Sequence, residues 1–249
     1  MTRPAAARSF AIASESHPMR LTPQLTRHES PHVVGDIWHW SNVPSAHLSH
    51  RRDVVIWLPP GYDNEPQRRY PVLYVQDGQN LFNPATSFAG VAWNLDNAAT
   101  KMIEQGRIDP CIIVGIYNTP DRLHEYNPLR RRGAQYGRFI VEELIPAIDS
   151  HFRTAGGRRN ALLGSSMGAL ISTVLLWWHS DRFFGAAAMS PSYWIFWQAG
   201  GPATWFRHQK IVPQQPARLY IDRGTDGPEA RTEPFIQEVL VRCRRVGFS

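Results

Sequence analysis

The chain has 249 residues, of which 43% are hydrophobic, and this is enough for a substantial core in one large α/β domain. Its formal net charge is +6 at pH 7, but its arginines are scattered along the chain, which indicates a solvated basic surface rather than a nucleic-acid-binding face. Two cysteines, Cys111 and Cys243, are too few for a disulfide framework, and no hydrophobic run approaches the roughly 18 residues of a spanning helix, so we expect a soluble, cytoplasmic protein without nucleic-acid or membrane partners.

The first 30 residues are rich in Ala, Ser, Pro and Arg and lack hydrophobic periodicity, which predicts a loosely ordered N-terminal arm. A single domain is predicted over residues 31–249, where short hydrophobic runs indicate strands and longer periodic segments indicate helices. The predicted strands cover residues 32–40, 52–58, 71–75, 111–116, 160–163, 183–190 and 218–222, and the predicted helices cover residues 93–103, 136–151, 169–178 and 233–245. Pro146 lies inside the second of these helices and predicts a kink or a break there.

This order of elements is an opening run of strands followed by alternating strands and helices. It predicts an α/β fold with a largely parallel central sheet and helices on both faces. Parallel sheets place their ligand sites at the carboxyl ends of the strands. Because polar residues follow several predicted strands, at residues 76–80, 117–122, 166 and 225–226, we expect these loops to converge on one rim of the sheet.

A short pattern marks the centre of that rim. Residues 164–168 have the form G-x-S-x-G, with a hydrophobic segment on each side. Between a strand and a helix, this pattern is typical of a nucleophile elbow, in which the central Ser166 occupies a strained turn. Gly164 and Gly168 allow the two backbones to pack closely, and the N–H groups at the start of the helix can stabilise an oxyanion. The alternative interpretation is an ordinary Gly-Ser turn.

Six blocks of sequence, taken together, match a known family, and they are residues 70–82, 93–96, 113–119, 125–128, 143–149 and the elbow. Over residues 50–245 the chain resembles the esterase group of the α/β-hydrolase fold. This group includes enterochelin esterases, feruloyl and acetyl-xylan esterases, S-formylglutathione hydrolase and the mycolyltransferases, and the resemblance is strongest to bacterial enterochelin-esterase-like members. It implies a serine-type carboxylic ester hydrolase that acts on a small-molecule ester through an acyl-enzyme, without a metal or a cofactor.

The resemblance also implies a role for individual residues. Ser166 would be the nucleophile, and the backbone N–H of Met167 would be one oxyanion donor. The second donor would come from the loop after the third strand of the fold, near Gly78 or Gln79. The acid would follow the strand at residues 218–222, where Asp226 is the first candidate and Glu229 the alternative.

Three further side chains, Arg122, Tyr126 and Trp194, are implied to line the substrate cleft. For each of them, packing in the core or on the surface is an equally good expectation. The oligomeric state and the identity of the ester have no signal in the sequence.

The histidine of the expected triad is missing from its usual place. In this fold the order is Ser, acid, His, but no histidine follows Asp226. We therefore expect the chain to be truncated relative to the family, without the last strand and the general base. His151, His179 and His208 are the alternative bases, although structural or solvent-exposed roles are more usual for such residues. The alternative function is a non-catalytic hydrolase-fold protein that binds a ligand.

Overall fold

The computed structural model describes residues 20–28, 33–209, 213–226 and 231–249. Its strands are β1 (Leu25–His28), β2 (Asp36–Val43), β3 (Arg52–Leu58), β4 (Val72–Gln76), β5 (Ile112–Ile116), β6 (Asn160–Ser165), β7 (Phe183–Met189) and β8 (Arg218–Asp222). They form one sheet in the order β1-β2-β3-β5-β4-β6-β7-β8. The first three strands pair in antiparallel fashion, and all pairs from β5 to β8 are parallel. The predicted α/β-hydrolase architecture is therefore confirmed.

The register of the parallel strands aligns their carboxyl ends. Gln76 at the end of β4 pairs with Ile116 at the end of β5. Farther along the sheet, Ser165 of β6 pairs with Met189 of β7, which in turn pairs with Asp222 of β8. The loops that follow these strands consequently lie together at the carboxyl ends of the strands, as the sequence predicts.

Helices cover both faces of the sheet. They are α1 (Leu95–Glu104), α2 (Arg122–Glu125), α3 (Arg131–Arg138), α4 (Ile145–His151), α5 (Met167–Trp178), α6 (Pro202–Arg207) and α7 (Glu233–Arg245). The larger hydrophobic core lies between one face of the sheet and the helices α3, α4, α5, α6 and α7. The smaller core lies between the other face and α1, which contributes Ala99. Helix α5 is the most deeply placed of these, because all its residues except Trp178 are buried. Within the described residues, no helix is long and apolar enough to cross a membrane.

The helix predicted with a break at Pro146 is continuous but irregular. A π-helical segment, Phe139–Leu144, joins α3 to α4, and Pro146 lies in the first turn of α4. Proline has no N–H to donate to the carbonyl four residues before it, so the irregular hydrogen bonding falls on the preceding turn. The predicted disturbance is therefore present on the N-terminal side of the proline, and the helical path continues through it.

The two ends of the chain differ from the sequence-based expectation in detail. Within the predicted arm, residues 25–28 form β1, an edge strand with a complete register against β2, and residues 1–19 lie outside the described residues. At the other end, the N–H of Ser249 donates to the carbonyl of Ala217, and its own carbonyl accepts from the N–H of Leu219, each at 2.8 Å. Ser249 therefore pairs with the outer edge of β8 in the manner of a parallel bridge.

Candidate active site

Ser166 lies on a sharp, strained turn between β6 and α5. Its backbone has φ 57° and ψ −118°, a conformation that residues with a Cβ rarely adopt, and its side chain is exposed. The strand and the helix meet so closely that a Cβ on Gly164 would lie 2.3 Å from the carbonyl oxygen of Gly168. The physical requirement for glycine at both ends of the pattern is therefore met, and Ser166 itself is exposed.

The start of α5 places backbone N–H donors next to the hydroxyl of Ser166. The first N–H groups of a helix have no acceptor within the helix, and they carry the positive end of its dipole. Met167 is the first residue of α5, and the N–H of Leu170 already bonds to the carbonyl of Ser166 at 3.1 Å. The amide of Met167 thus belongs to a buried helix whose positive end lies at Ser166.

The loop after β4 packs against the same helix start. A Cβ on Gly168 would meet the side chains of Gln76 and Asp77 at 3.0 and 3.2 Å. Gly78 presses against the backbone of β5, because a Cβ there would lie 2.3 Å from the carbonyl carbon of Gly115. Gln79 follows in a short 3-10 turn, so the structure brings the two predicted oxyanion segments together.

Asp77 is the anchor of that loop. It has a left-handed backbone with φ 58°, and its carboxylate is 4% exposed. Arg122 donates two hydrogen bonds to it, at 2.7 and 2.8 Å, and Asn118 donates a third at 2.7 Å. The hydrogen bonds to Asp77 raise the pKa of the Arg122 guanidinium, so this ion pair holds the loops after β4 and β5 together.

Two of the predicted cleft residues, Arg122 and Tyr126, are hydrogen-bonded to Asp77. The guanidinium of Arg122 is occupied by Asp77, and its side chain is only 27% exposed. Tyr126 is fully buried, and its hydroxyl accepts a hydrogen bond from the N–H of Asp77 at 3.2 Å. Burial raises the pKa of Tyr126 well above its usual value, so the phenol remains protonated. Both side chains hydrogen-bond to Asp77 in the loop after β4, and their contact with substrate stays a prediction.

Trp194 has a different environment. It is 51% exposed and lies in the 3-10 segment Tyr193–Ala199, directly after the turn that follows β7. In that turn, the hydroxyl oxygen of Ser192 lies 3.0 Å from the hydroxyl oxygen of Ser166. Trp194 is therefore two residues from a group that touches the nucleophile, in a position compatible with its predicted contact with substrate.

The predicted acid is less firmly placed. Asp226 follows the carboxyl end of β8, on an exposed bend. Among the described residues, none donates a hydrogen bond to its carboxylate. The alternative acid, Glu229, lies outside the described residues. Asp222, at the end of β8, is instead engaged in structure, because its carboxylate accepts the N–H of Ser190 at 3.0 Å.

The three alternative bases all lie in other surroundings. His151 and His208 are exposed, and a ring nitrogen of each donates to a backbone carbonyl of its own helix. His179 follows the last residue of α5, roughly 20 Å from Ser166 at 1.5 Å per residue. Among the described histidines, none hydrogen-bonds to Ser166, whose only side-chain partner there is Ser192.

A cavity lies away from this site. It has a volume of about 860 Å³ and is lined by residues at the amino ends of β4 to β8, among them Val72, Cys111, Ala161 and Arg218. Since Ser166 is at the carboxyl ends, the cavity and the candidate site lie at opposite ends of the sheet. Burial raises the pKa of the Cys111 thiol to about 11, which disfavours the reactive thiolate there. Within the described part of the chain, no group of three or more His, Cys, Asp or Glu side chains could hold a metal ion.

Comparison with known proteins places this geometry in a family. Residues 45–248 match the protein family described as "Putative esterase". The chain belongs to that family. The resemblance that the sequence blocks carry is therefore confirmed, and the chain is an esterase-type hydrolase of the α/β fold.

Individual relatives are more distant. The chain is 27% identical over 211 residues to the uncharacterized protein YbbA of Bacillus subtilis, a match that covers 80% of this chain and 77% of that protein. It is 32% identical over 137 residues to an endo-1,4-beta-xylanase/feruloyl esterase of Xylanibacter ruminicola, covering 52% of this chain but only 18% of that protein.

Two solved structures share the fold. An IroE-like serine hydrolase from Shewanella oneidensis superposes with a TM-score of 0.63 at 22% identity, covering 91% of this chain and 71% of the other. The enterobactin esterase FES from Shigella flexneri gives 0.66 at 17% identity, covering 92% and 53%. At such identities the likeness concerns the fold alone.

Sequence reasoning assigned no role to three polar residues of this region: Ser192, which contacts Ser166, Asp77, which lies beside Gly168, and Asn118, which bonds to Asp77. Asp77 and Asn118 lie in loops that the sequence marks as polar and rim-forming, but their mutual bonding has no local signature. Ser192 belongs to a Ser-Pro-Ser turn directly after β7. A serine-rich turn at the carboxyl end of a parallel strand was the available signal.

Proposed function

We propose that the protein is a serine-type carboxylic ester hydrolase in which Ser166 attacks the ester carbonyl and forms an acyl-enzyme. The single observation that carries this proposal is the exposed hydroxyl of Ser166 on a backbone with φ 57° at the start of a buried helix. Strain of this kind persists only where the surrounding structure enforces it, and it is concentrated at functional sites.

The negative charge of the tetrahedral intermediate would be stabilised by backbone amides. The proposed donors are the N–H of Met167 and an N–H at Gly78 or Gln79, whose segments meet at Gly168. Donors of this type are worth about 10²- to 10³-fold in rate each, because they are already oriented before charge develops. The buried carboxylate of Asp77 would oppose an oxyanion, and its ion pair with Arg122 offsets that charge.

Asp226 is the proposed acid, in keeping with its position after β8 and with the order of the triad. A second candidate function has a specific observation in its favour. Since none of the described histidines touches Ser166, a binding protein that retains the elbow but turns over slowly is the alternative. Loss of the base from a triad leaves only a residual rate.

The decisive experiment combines turnover with covalent labelling. Hydrolysis of p-nitrophenyl acetate and reaction with a fluorophosphonate probe should both occur in the wild-type chain and fall at least about 10³-fold in Ser166→Ala. Ser165→Ala is the matched control, because it removes the neighbouring hydroxyl of the same turn. Mass spectrometry should place the phosphonyl group on Ser166. A wild-type chain that neither hydrolyses the ester nor takes up the probe would support the binding alternative.

A further inference from the structure

One turn holds Ser166 at three of its atoms. The N–H of Ser166 donates to the carbonyl of Met189 at 2.9 Å, and its carbonyl accepts the N–H of Ser192 at 3.1 Å. The hydroxyl oxygens of Ser166 and Ser192 are 3.0 Å apart. The strained residue is therefore clamped through backbone and side chain by residues 189–192, the turn that follows β7.

The turn is itself fixed from two directions. The N–H of Ser190 donates to both the carbonyl and the carboxylate of Asp222, at 3.2 and 3.0 Å, which ties the turn to the end of β8. On the other side, the hydroxyls of Tyr193 and Thr173 are 2.6 Å apart, which ties the next residue to α5. Ser192 itself is only 6% exposed. Its hydroxyl thus has a defined position that does not depend on a flexible loop.

An exposed serine at the start of a helix can ordinarily sample three staggered rotamers. A hydrogen bond from a fixed, mostly buried hydroxyl favours one of them, because the other two leave that buried group without its partner. The favoured rotamer is the one in which the oxygen of Ser166 lies against the turn after β7.

We propose that Ser192 is a positioning residue for the nucleophile: its hydroxyl holds the oxygen of Ser166 in the orientation from which it attacks. This inference rests on the proposed function, and it assigns a role to a residue outside the nucleophile, oxyanion donors and acid. Ser192 does not need to titrate for this role. Its removal should therefore change the rate without changing the pH at which the rate rises.

The test compares Ser192→Ala with a matched serine. Ser172 lies on α5, is fully buried, and its hydroxyl makes no hydrogen bond within the described residues. Ser172→Ala therefore reports the cost of deleting a buried hydroxyl without touching the nucleophile. Ser192→Thr keeps a hydroxyl in place and serves as the rescue variant. For each protein, kcat and KM with p-nitrophenyl acetate, the rate of fluorophosphonate labelling, the pH profile of kcat/KM and Tm are measured.

Ser192→Ala should lower kcat and the labelling rate by about 10-fold each, as expected for the loss of one orienting hydrogen bond. Its KM, its pH profile and its Tm should match those of Ser172→Ala, and Ser192→Thr should recover most of the rate. Unchanged labelling in Ser192→Ala would overturn the inference and leave the proposed function intact. So would a loss confined to KM or to Tm. A wild-type chain with no reaction at Ser166 would overturn both.

Discussion

The turn that carries Ser166 and the loop that carries Asp226 both follow the carboxyl ends of strands, but they differ in how firmly the rest of the molecule holds them. Ser166 is held by hydrogen bonds from the turn after β7 and by close backbone contact between β6 and α5. Asp226 lies on an exposed bend without a hydrogen-bond donor among the described residues. The comparison teaches that Ser166, the proposed nucleophile, is held in place by packing, whereas the proposed acid Asp226 depends on its position after β8.

The most damaging change should be Gly164→Ala, in the closely packed turn that carries Ser166. The added Cβ would lie 2.3 Å from the carbonyl oxygen of Gly168, a backbone atom that cannot move without shifting α5. We expect a loss of about 3 kcal/mol in the free energy of unfolding, from overpacking, and a loss of Ser166-dependent turnover. Urea unfolding and ester hydrolysis measure the two effects.

Gly61→Ala is the matched control for that change. Gly61 differs from Gly164 in having a positive φ, of 77°, and a Cβ there meets nothing within 4 Å. Its expected cost is only the backbone strain of about 1 kcal/mol, with turnover retained. Equal stability losses in the two variants would contradict the idea that close packing, rather than glycine content, maintains the elbow.

In the exposed loop after β8, Asp226→Asn should lower activity without lowering stability. If Asp226 is the acid, turnover falls by about 10²- to 10⁴-fold, as in triads whose acid is replaced by its amide. The free energy of unfolding should stay within about 0.5 kcal/mol, because the side chain is exposed. Asp63→Asn, another exposed aspartate, is the control, and steady-state kinetics with urea unfolding are the measurements. Full activity in Asp226→Asn would remove this residue from the mechanism.

A smaller effect is expected beneath the oxyanion loop. Arg122→Gln leaves the buried carboxylate of Asp77 without its cation, so we expect a loss of about 2 kcal/mol in stability and about 10-fold in kcat. Adding Asp77→Asn removes the stranded charge and should restore part of both quantities, which a double-mutant cycle measures.

The control for this cycle is an exposed ion pair, Arg68 with Glu65, whose side chains are 36% and 53% exposed. Arg68→Gln should cost no more than about 0.5 kcal/mol, because solvent screens such pairs. If the double variant at Asp77 and Arg122 is as impaired as Arg122→Gln alone, then Arg122 acts on the substrate rather than through Asp77.

The same contrast explains what could be predicted from the sequence. The sharp turn at Ser166 could be predicted because its requirement is local, since Gly164 and Gly168 are needed wherever a strand turns sharply into a helix around a serine. The bounds of β3, β8 and α7 match the predicted ranges because each has a clear hydrophobic pattern between turn residues. These features depend on neighbours in the chain.

The rest of the site depends on contacts between distant segments. The ion pair between Arg122 and Asp77, for example, joins residues that are 45 positions apart in sequence. Ser192 meets Ser166 across 26 residues, because β6 and β7 are adjacent in the sheet. The polar loops could be assigned to the carboxyl ends of the strands from the alternation of strands and helices along the chain. Which polar groups pair with each other there is decided by three-dimensional packing, for which a single sequence carries no signal.

The smallest effect concerns a histidine at the far end of α5. Burial lowers the pKa of His179, although nearby Asp181 and Glu142 offset part of that shift. Near pH 7.5 the imidazole is neutral in both the folded and the unfolded chain. As the pH falls below about 6.5 the unfolded chain takes up a proton first, so the contribution of His179 to stability is present above that pH and is lost towards the lower folded pKa. The wild type should therefore lose about 1 kcal/mol or less relative to His179→Gln between pH 7.5 and pH 5, as measured by urea unfolding.

Exposed His124 supplies the control, because His124→Gln removes an imidazole that is not buried. Turnover at pH 7.5 should be the same in wild type and His179→Gln, since α5 separates this ring from Ser166 by roughly 20 Å. A large loss of turnover in His179→Gln would mean that the two ends of α5 are coupled. In that case the division between a packed nucleophile and a separately placed set of partners would not hold.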